Sequence, residues 1–314
     1  MFFSALWKMK ARAALKGKWL TGLLIALIVN LPGLLVQGIG SFTGNSLSDR
    51  LADLLVRLQS TTDASVIRET LDTGVNEILG ARGIWMMQGA SVLVWALTPC
   101  LALGMIHWLQ ATLRKEPAGE VSAVFSRIGL FGKAIGLRLY VALRVFLWML
   151  PGMGLMAASL LPLWLSDSSS RISVLSAANT AYGLQSVSMI VAIVLAVMAY
   201  LKYAMADQIL ADHPEKGPVQ AAKESRTMMK GKRGALFSLY TGFLLWYFLE
   251  TMAVNLVSAL FGSVIGLMAG MLCSLALTVY LRASVSAFYL TCLPAETGGL
   301  GPMTLNPEDG GMEL

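Results

Sequence analysis

The feature that most constrains this chain is an apolar run of more than fifty residues near its carboxyl end, between Ala235 and Leu290. A helix needs about 20 residues to cross the hydrocarbon core of a bilayer. No single helix of this length fits a membrane, so the run must fold back on itself. We divide it at Phe261-Gly262-Ser263, which gives two membrane spans.

Other apolar runs of similar length precede this one. We therefore predict an all-α polytopic membrane bundle with about six transmembrane helices and additional interfacial helices. Only 13% of the residues are charged, whereas soluble domains carry about 25%. The alternating pattern of an outer-membrane barrel is absent from the sequence. The predicted spans are Trp19–Ile39, Ile84–Trp108, Ile135–Leu165, Tyr182–Met205, Ala235–Leu260 and Val264–Leu290.

Basic residues collect in three segments, namely the N-terminus, residues 109–134 and residues 206–234. Residues 40–83, by contrast, hold four arginines against six acids. Because lysine and arginine favour the cytoplasmic side, this pattern predicts a bacterial plasma-membrane protein with both termini cytoplasmic. It also accounts for the net charge of +6. Nucleic-acid binding is not expected, because the sequence lacks the pattern of basic and aromatic residues that lines a nucleic-acid groove.

The predicted transmembrane domain covers residues 19–293, and residues 294–314 are predicted to form a disordered cytoplasmic tail. Residues 1–18 are predicted to form an interfacial amphipathic helix. Its basic stripe is Lys8, Arg12 and Lys16, and its apolar side is Phe3, Leu6, Trp7 and Met9. Residues 45–80 repeat leucine, isoleucine and valine at helical spacing on two arms, which predicts an outer helical hairpin. We leave open whether this hairpin covers a ligand.

The stretch between the fourth and fifth spans has strong helix signals. Gly217-Pro218 favours a helix start and Gly231 a helix stop, so we predict an inner helix over residues 218–230. One face is basic, with Lys223, Arg226 and Lys230, and is predicted to contact anionic lipid headgroups. The other face holds small residues and methionines, which would allow close packing on a neighbouring helix: Ala221, Ala222, Ser225, Met228 and Met229. The competing interpretation is a solvated linker.

Three charges fall inside predicted spans, where ionised groups are costly and are usually paired or functional. They are Arg144, Glu250 and Arg282. We predict that Glu250 faces the bundle and lies near one of the two arginines. The alternatives are arginines that reach back to the interface, or a proton- or ion-coupled pathway at Glu250. On the sixth span, small residues recur every fourth position and predict close helix packing within the chain or between copies: Gly262, Gly266, Gly270 and Ser274.

No catalytic, cofactor-binding or metal-binding residues are predicted, because the usual motifs are missing from the sequence. His107 and His213 are interpreted as structural. The acids Asp207, Asp212, Glu215 and Glu224 form the only acidic cluster on the inner side. A metal site is one interpretation of it. The other is that Asp212 caps the turn before Pro214 and Glu224 pairs with neighbouring bases.

The stretch "YAMADQILADHPEKGPVQAAKESRTMMKGKRGALFSLYTGFLLWYFL" resembles the signature of a bacterial membrane family called domain of unknown function 975. The matching positions are Tyr203, Asp212, Pro214, Ser225, Met228, Met229, Gly231, Lys232 and Trp246. The segments "ARAALKGKW" and "VYLRASVSAFYL" are also similar to that family, although Val279-Tyr280 stands where the family usually has Pro-Tyr. The resemblance implies a six-span architecture and no particular activity.

The expected function is therefore that of a non-enzymatic integral membrane protein, acting as a scaffold, an assembly partner or a lipid-interacting module. The alternative is a small transporter or export component that uses the Glu250 region, and a membrane enzyme ranks third. The expected partners are membrane lipids with anionic headgroups at the cytoplasmic face, and a membrane protein or a second copy of the chain. No cofactor is expected.

The predicted topology can be tested with reporter fusions. A reporter placed after Gly80 should be active on the outer side and one placed after Gly217 on the cytoplasmic side. The distribution of basic residues is the physical reason. If both fusions report the same side, the number of predicted spans is wrong.

Overall fold

The structure is a computed structural model that describes residues 3–43, 82–117, 119–159 and 171–294, with residue 161 and short pieces between residues 50 and 80. The regular structure in this part of the chain is helical. Its elements are α1 (Phe3–Leu15), α2 (Trp19–Thr43), α3 (Arg82–Leu113), a 3₁₀ helix (Val121–Leu130), α4 (Phe131–Ala158), α5 (Arg171–Tyr203), α6 (Ala206–Asp212), α7 (Pro218–Met228), α8 (Arg233–Phe261) and α9 (Ser263–Cys292).

Six helices, α2, α3, α4, α5, α8 and α9, are long and apolar enough to cross a membrane. This confirms the predicted all-α bundle. The long apolar run divides at Gly262, where φ is +93°, in the left-handed region that glycine tolerates best. The third span starts earlier than predicted, at Phe131. The fourth continues beyond Met205, because the chain enters α6 after a short break.

The spanning helices form two antiparallel hairpins, α4 with α5 and α8 with α9. Helix α3 contacts α2, α4 and α9 and is the central element. The buried core lies where α3, α5 and α9 end. We call this the basic end, because the connecting segments 114–133 and 212–233 lie there. Among the described residues the two hairpins touch mainly through α5 and α8, and α4 makes no substantial contact with α8 or α9.

Helix α1 packs into the basic end as well as presenting a polar side. Its buried face is Trp7, Ala11 and Leu15, and the Trp7 indole nitrogen donates a hydrogen bond to Thr291 Oγ1 at 3.2 Å. Of the predicted apolar side, Trp7 is thus used inside the protein, whereas Met9 is exposed; the contact of this helix with a membrane stays a prediction. The Lys8 ammonium lies 4.5 Å from the centre of a phenylalanine ring on α8, and burial lowers the pKa of this lysine.

The glycines of the sixth span hold the α8/α9 hairpin together. A β-carbon at Gly266 would overlap Ser258, and one at Gly270 would crowd Val254. This confirms that close packing occurs within the chain at these two positions. Gly262 forms the turn itself. The same register, continued by one helical turn, places Ser274 opposite Glu250.

The 3₁₀ helix is held against α3 at a point where no side chain fits. A β-carbon at Gly104 would overlap the carbonyl group of Val124, which is itself fully buried. Next to this contact, an Arg127 guanidinium nitrogen donates to His107 Nδ1 at 3.1 Å. His107 therefore takes part in joining α3 to the 3₁₀ helix, as its structural interpretation requires.

Most of the predicted outer hairpin lies outside the described residues, and so does the predicted tail from residue 295 onward. The pieces that are described are helical on both arms. Arg50 forms an ion pair with Glu77 at 2.7 Å, and Leu54 packs against Gly74. The two arms therefore touch, as the hairpin interpretation predicts.

Replacing Gly104 with alanine should destabilise the protein by about 1–3 kcal/mol, because overpacking forces α3 and the 3₁₀ helix apart. Gly89 provides a control in the same helix, since nothing lies within 4 Å of the position its β-carbon would take. Gly89→Ala should leave stability unchanged or raise it slightly, because alanine favours helix. Thermal unfolding in detergent measures both. Equal melting temperatures for the two variants would contradict the close contact.

Candidate functional site: a charged cavity at the basic end

A bidentate ion pair joins the end of α3 to the end of α6. The two terminal nitrogens of Arg114 donate to the two carboxylate oxygens of Asp212, each at 2.8 Å. Tyr289 on α9 donates its hydroxyl to the same carboxylate at 3.1 Å. The ion-paired side chains are only 16% and 10% exposed. We call these three residues the latch, because they tie three helices to one carboxylate.

A second set of hydrogen bonds fixes α6 one turn earlier. Gln110 on α3 donates from its side-chain nitrogen to the main-chain oxygen and the side-chain oxygen of Gln208, both at 3.0 Å. Ser286 on α9 donates to the same side-chain oxygen at 3.1 Å. All three residues are buried. The short α6 therefore has a fixed position between α3 and α9.

The break between α5 and α6 is completed by Ser225 on α7. A helix break leaves main-chain groups without their usual partners. Here the Met205 main-chain nitrogen donates to Ser225 Oγ at 3.1 Å, and the same hydroxyl donates to the Lys202 main-chain oxygen at 3.1 Å. The Ala221, Ala222, Ser225 and Met229 face is fully buried. This confirms the predicted packing face and excludes a solvated linker.

The redirected α6 places Asp207 on the wall of a cavity of about 430 Å³. The cavity lies among α3, α4, α5, α6 and α9. Its polar lining includes Arg138 from α4, Arg282 from α9 and Tyr200 from α5, and its apolar lining includes Leu103. The Asp207 side chain is exposed to this cavity and not covered by neighbouring side chains.

The two arginines line the same cavity as Asp207. Within the described part of the chain, however, neither guanidinium forms an ion pair with it within 4.0 Å. Arg138 instead lies over the ring of Trp95, 5.6 Å from its centre. The cavity therefore presents one acidic and two basic side chains that do not form ion pairs with each other.

Comparison with known proteins agrees with this architecture. A family model described as a protein of unknown function (DUF975) matches residues 4–295. The chain belongs to this family. No curated protein and no solved structure matches it. For this DUF975 protein the function must therefore be argued from the geometry of the site.

Several residues singled out from the DUF975 sequence pattern lie around the latch and α7. Asp212 is in the latch, which corrects its interpretation as a turn cap. The Pro214 main-chain oxygen accepts a hydrogen bond from the Lys133 ammonium at 2.7 Å. Gly231 follows α7 with φ of +77°, and Trp246 is exposed on α8. Glu224 pairs with Lys216 at 2.7 Å, as predicted.

The predicted ion pair of Glu250 with Arg144 or Arg282 is wrong. In the described structure no ion pair within 4.0 Å joins Glu250 to either arginine. Arg282 faces the cavity with Asp207, and Arg144 is exposed and lies 5.3 Å from the centre of the Tyr140 ring. Arg144 belongs to α4, which makes no substantial contact with α8. Arg282 lies on α9 beyond Ser274, the position opposite Glu250, by eight residues, which is about 12 Å along the helix axis.

The basic face of α7 is exposed along Lys223, Arg226 and Lys230. Its contact with anionic headgroups stays a prediction.

Sequence reasoning missed the cavity because Asp207 was assigned to an inner loop. Had the fourth span been extended through α6, Tyr200, Tyr203 and Asp207 would have fallen on one helical face at positions i, i+3 and i+7. Arg138 would then have been the basic residue at matching depth on the third span. The signal was present, but the break at residues 204–205 concealed it.

Replacing Asp212 with asparagine should destabilise the DUF975 protein by about 3 kcal/mol, because Arg114 would keep a buried charge without a counter-ion. Glu224→Gln breaks a more exposed pair and should cost less than about 1 kcal/mol. Thermal unfolding in detergent compares them. If the two variants unfold at the same temperature, the latch is not a stabilising element.

Proposed function

We propose that this protein is a non-enzymatic lipid-binding module of the bacterial plasma membrane, with both termini cytoplasmic. In this proposal the charged cavity holds the polar head of a membrane amphiphile. The observation that carries the proposal is the cavity wall formed by Arg138, Asp207 and Arg282, in which neither arginine contacts the carboxylate.

The energetic argument rests on the cost of unpaired charge. Ionised side chains inside a membrane are costly and commonly mark binding sites or ion pathways. Arg114 and Asp212 meet this cost by direct pairing. Arg138 and Arg282 do not, so a ligand with an anionic group would compensate them and gain affinity from charge-assisted hydrogen bonds.

The position and size of the cavity suit a lipid head. Arg282 lies ten residues before the end of α9, which is about 15 Å along the helix axis. The head of an amphiphile would have to reach below the surface, with its tails beside the apolar wall that includes Val141 and Val145. The volume of about 430 Å³ falls in the range of small-ligand sites, about 300–1,000 Å³.

The exposed basic face of α7 supports the same proposal from outside the cavity. Lys223, Arg226 and Lys230 lie on the surface of a rigid helix whose opposite face is buried. Each charge near an anionic membrane surface contributes about 1 kcal/mol of attraction. In this proposal the face holds the basic end against anionic headgroups.

The cavity is tested by native mass spectrometry of the protein released from micelles that contain bacterial phospholipid. Arg282→Gln should reduce the fraction of lipid-bound protein about tenfold, because a charge-assisted hydrogen bond is lost. Arg144→Gln is the matched control, since Arg144 is also an arginine within a span but lies outside the cavity. Equal lipid retention by both variants would exclude the cavity as the binding site.

The basic face is tested by a double variant, Lys223→Gln with Lys230→Gln. It should unfold at the wild-type temperature, because both side chains are exposed. In mixed nanodiscs the double variant should recruit fewer anionic lipids than the wild-type protein does. The difference between the two proteins should shrink as the salt concentration is raised, because salt screens exposed charges. Unchanged lipid composition around the double variant would show that this face does not contact headgroups.

Transport is the second candidate, and the sparse contact between the two hairpins among the described residues favours it, because weakly joined halves can move relative to each other. The titratable group would then be Asp207 in place of Glu250. In proteoliposomes, a flux of protons or other ions that is lost in an Asp207 variant would support transport. Lipid binding without such a flux would support the binding module.

A further inference from the structure

We infer that the cavity recognises a ligand carrying both a phosphate and a protonated amine, as in the head of a zwitterionic aminophospholipid. The phosphate would be bound by Arg138 and Arg282 and the amine by Asp207. This inference rests on the proposed function, because it names the class of lipid for the same site.

The first support is that the opposite charges of the cavity are close but separate. Arg138, Asp207 and Arg282 line the same cavity. Even so, no salt bridge within 4.0 Å joins them in the described part of the structure. A ligand with charges of both signs would fill such a gap and pair with each wall.

The second support is that the carboxylate is held in place from behind. Asp207 precedes Gln208, whose main chain and side chain are bonded to Gln110 and Ser286. The latch fixes the other end of α6. The seven-residue helix is therefore fixed at these points, and with it the backbone position from which Asp207 faces the cavity.

The third support is the restraint on Arg138. Its guanidinium lies over the Trp95 ring, a contact that orients an arginine without using its hydrogen-bond donors. Those donors can then serve a phosphate, for which the planar guanidinium is well suited. Tyr200 lies on the same wall and adds a hydroxyl group to the polar lining.

An anionic head without an amine satisfies this arrangement less well. Its phosphate would compensate the two arginines, but Asp207 would face it as a like charge without a partner. Like charges at short range disfavour binding. A choline head keeps its positive charge but has no N–H group to donate, so it should bind less well than a primary amine.

The test compares lipids with identical acyl chains by native mass spectrometry of the full-length protein. Phosphatidylethanolamine should be retained about tenfold better than phosphatidylglycerol, since the amine adds a charge-assisted hydrogen bond. Phosphatidylcholine should be retained less well than phosphatidylethanolamine. Asp207→Asn should remove the preference for the amine, and Asp207→Glu should keep it.

The outcomes separate the inference from the function on which it rests. If wild-type protein prefers phosphatidylglycerol and Asp207→Asn changes nothing, the selection of an amine is wrong while lipid binding stands. If wild-type protein retains none of the lipids and Arg282→Gln equals wild type, the proposed function itself is wrong. If free phosphoethanolamine displaces every lipid at micromolar concentration, the ammonium–phosphate recognition is right and the lipid source is wrong. The wild-type preference decides the inference even if the Asp207 variants fail to fold.

Discussion

The ion pair between Arg114 and Asp212 is the interaction on which the polar interior of this protein depends. A helix as short as α6 is not stable alone in water. It persists because the latch holds one end and Gln208 is bonded to α3 and α9. Since α6 carries Asp207, the latch also determines where the cavity carboxylate lies. The stability of the basic end and the geometry of the candidate site are therefore coupled.

The bundle combines a densely packed interior at one end with an apolar surface for lipid at the other. Packing is dense at the basic end, where large side chains such as Trp108, Phe288 and Tyr289 are fully buried. Toward the opposite end apolar side chains such as Leu260, Val264 and Leu267 are exposed and provide surface for lipid. Charged groups are consequently compensated in different ways. Arg114 is paired within the protein, whereas Arg282 faces a cavity in which, under the proposed function, the head of a lipid compensates its charge.

The long apolar runs predict the class of this fold, and local helix signals predict α7. Neither pattern predicts which side chains on different helices contact each other. The turn at Gly262 follows from length alone, since no helix of more than fifty residues crosses a bilayer. The buried face of α7 follows from the spacing of Ala221, Ser225 and Met229. The partners of Glu250 and Asp212 do not follow, because they depend on which helices are neighbours. Depth along a helix predicts that Glu250 lies near an arginine, but Arg144 is on a helix that is not a neighbour of α8 and Arg282 is about two turns from the α9 position opposite Glu250. The position of Asp207 in the cavity does not follow from the sequence either. It depends on Ser225, more than fifteen residues later, which hydrogen-bonds the main chain at the break between α5 and α6.

The most direct measurement is an electron cryomicroscopy map of the protein in phosphatidylethanolamine nanodiscs, with a bound antibody fragment to provide mass. The account predicts density for a lipid head between Arg138, Asp207 and Arg282, with the acyl chains leaving along the apolar wall. It also predicts that Arg114 remains paired with Asp212. An empty, collapsed cavity in which Asp207 contacts Arg282 directly would contradict the central claim.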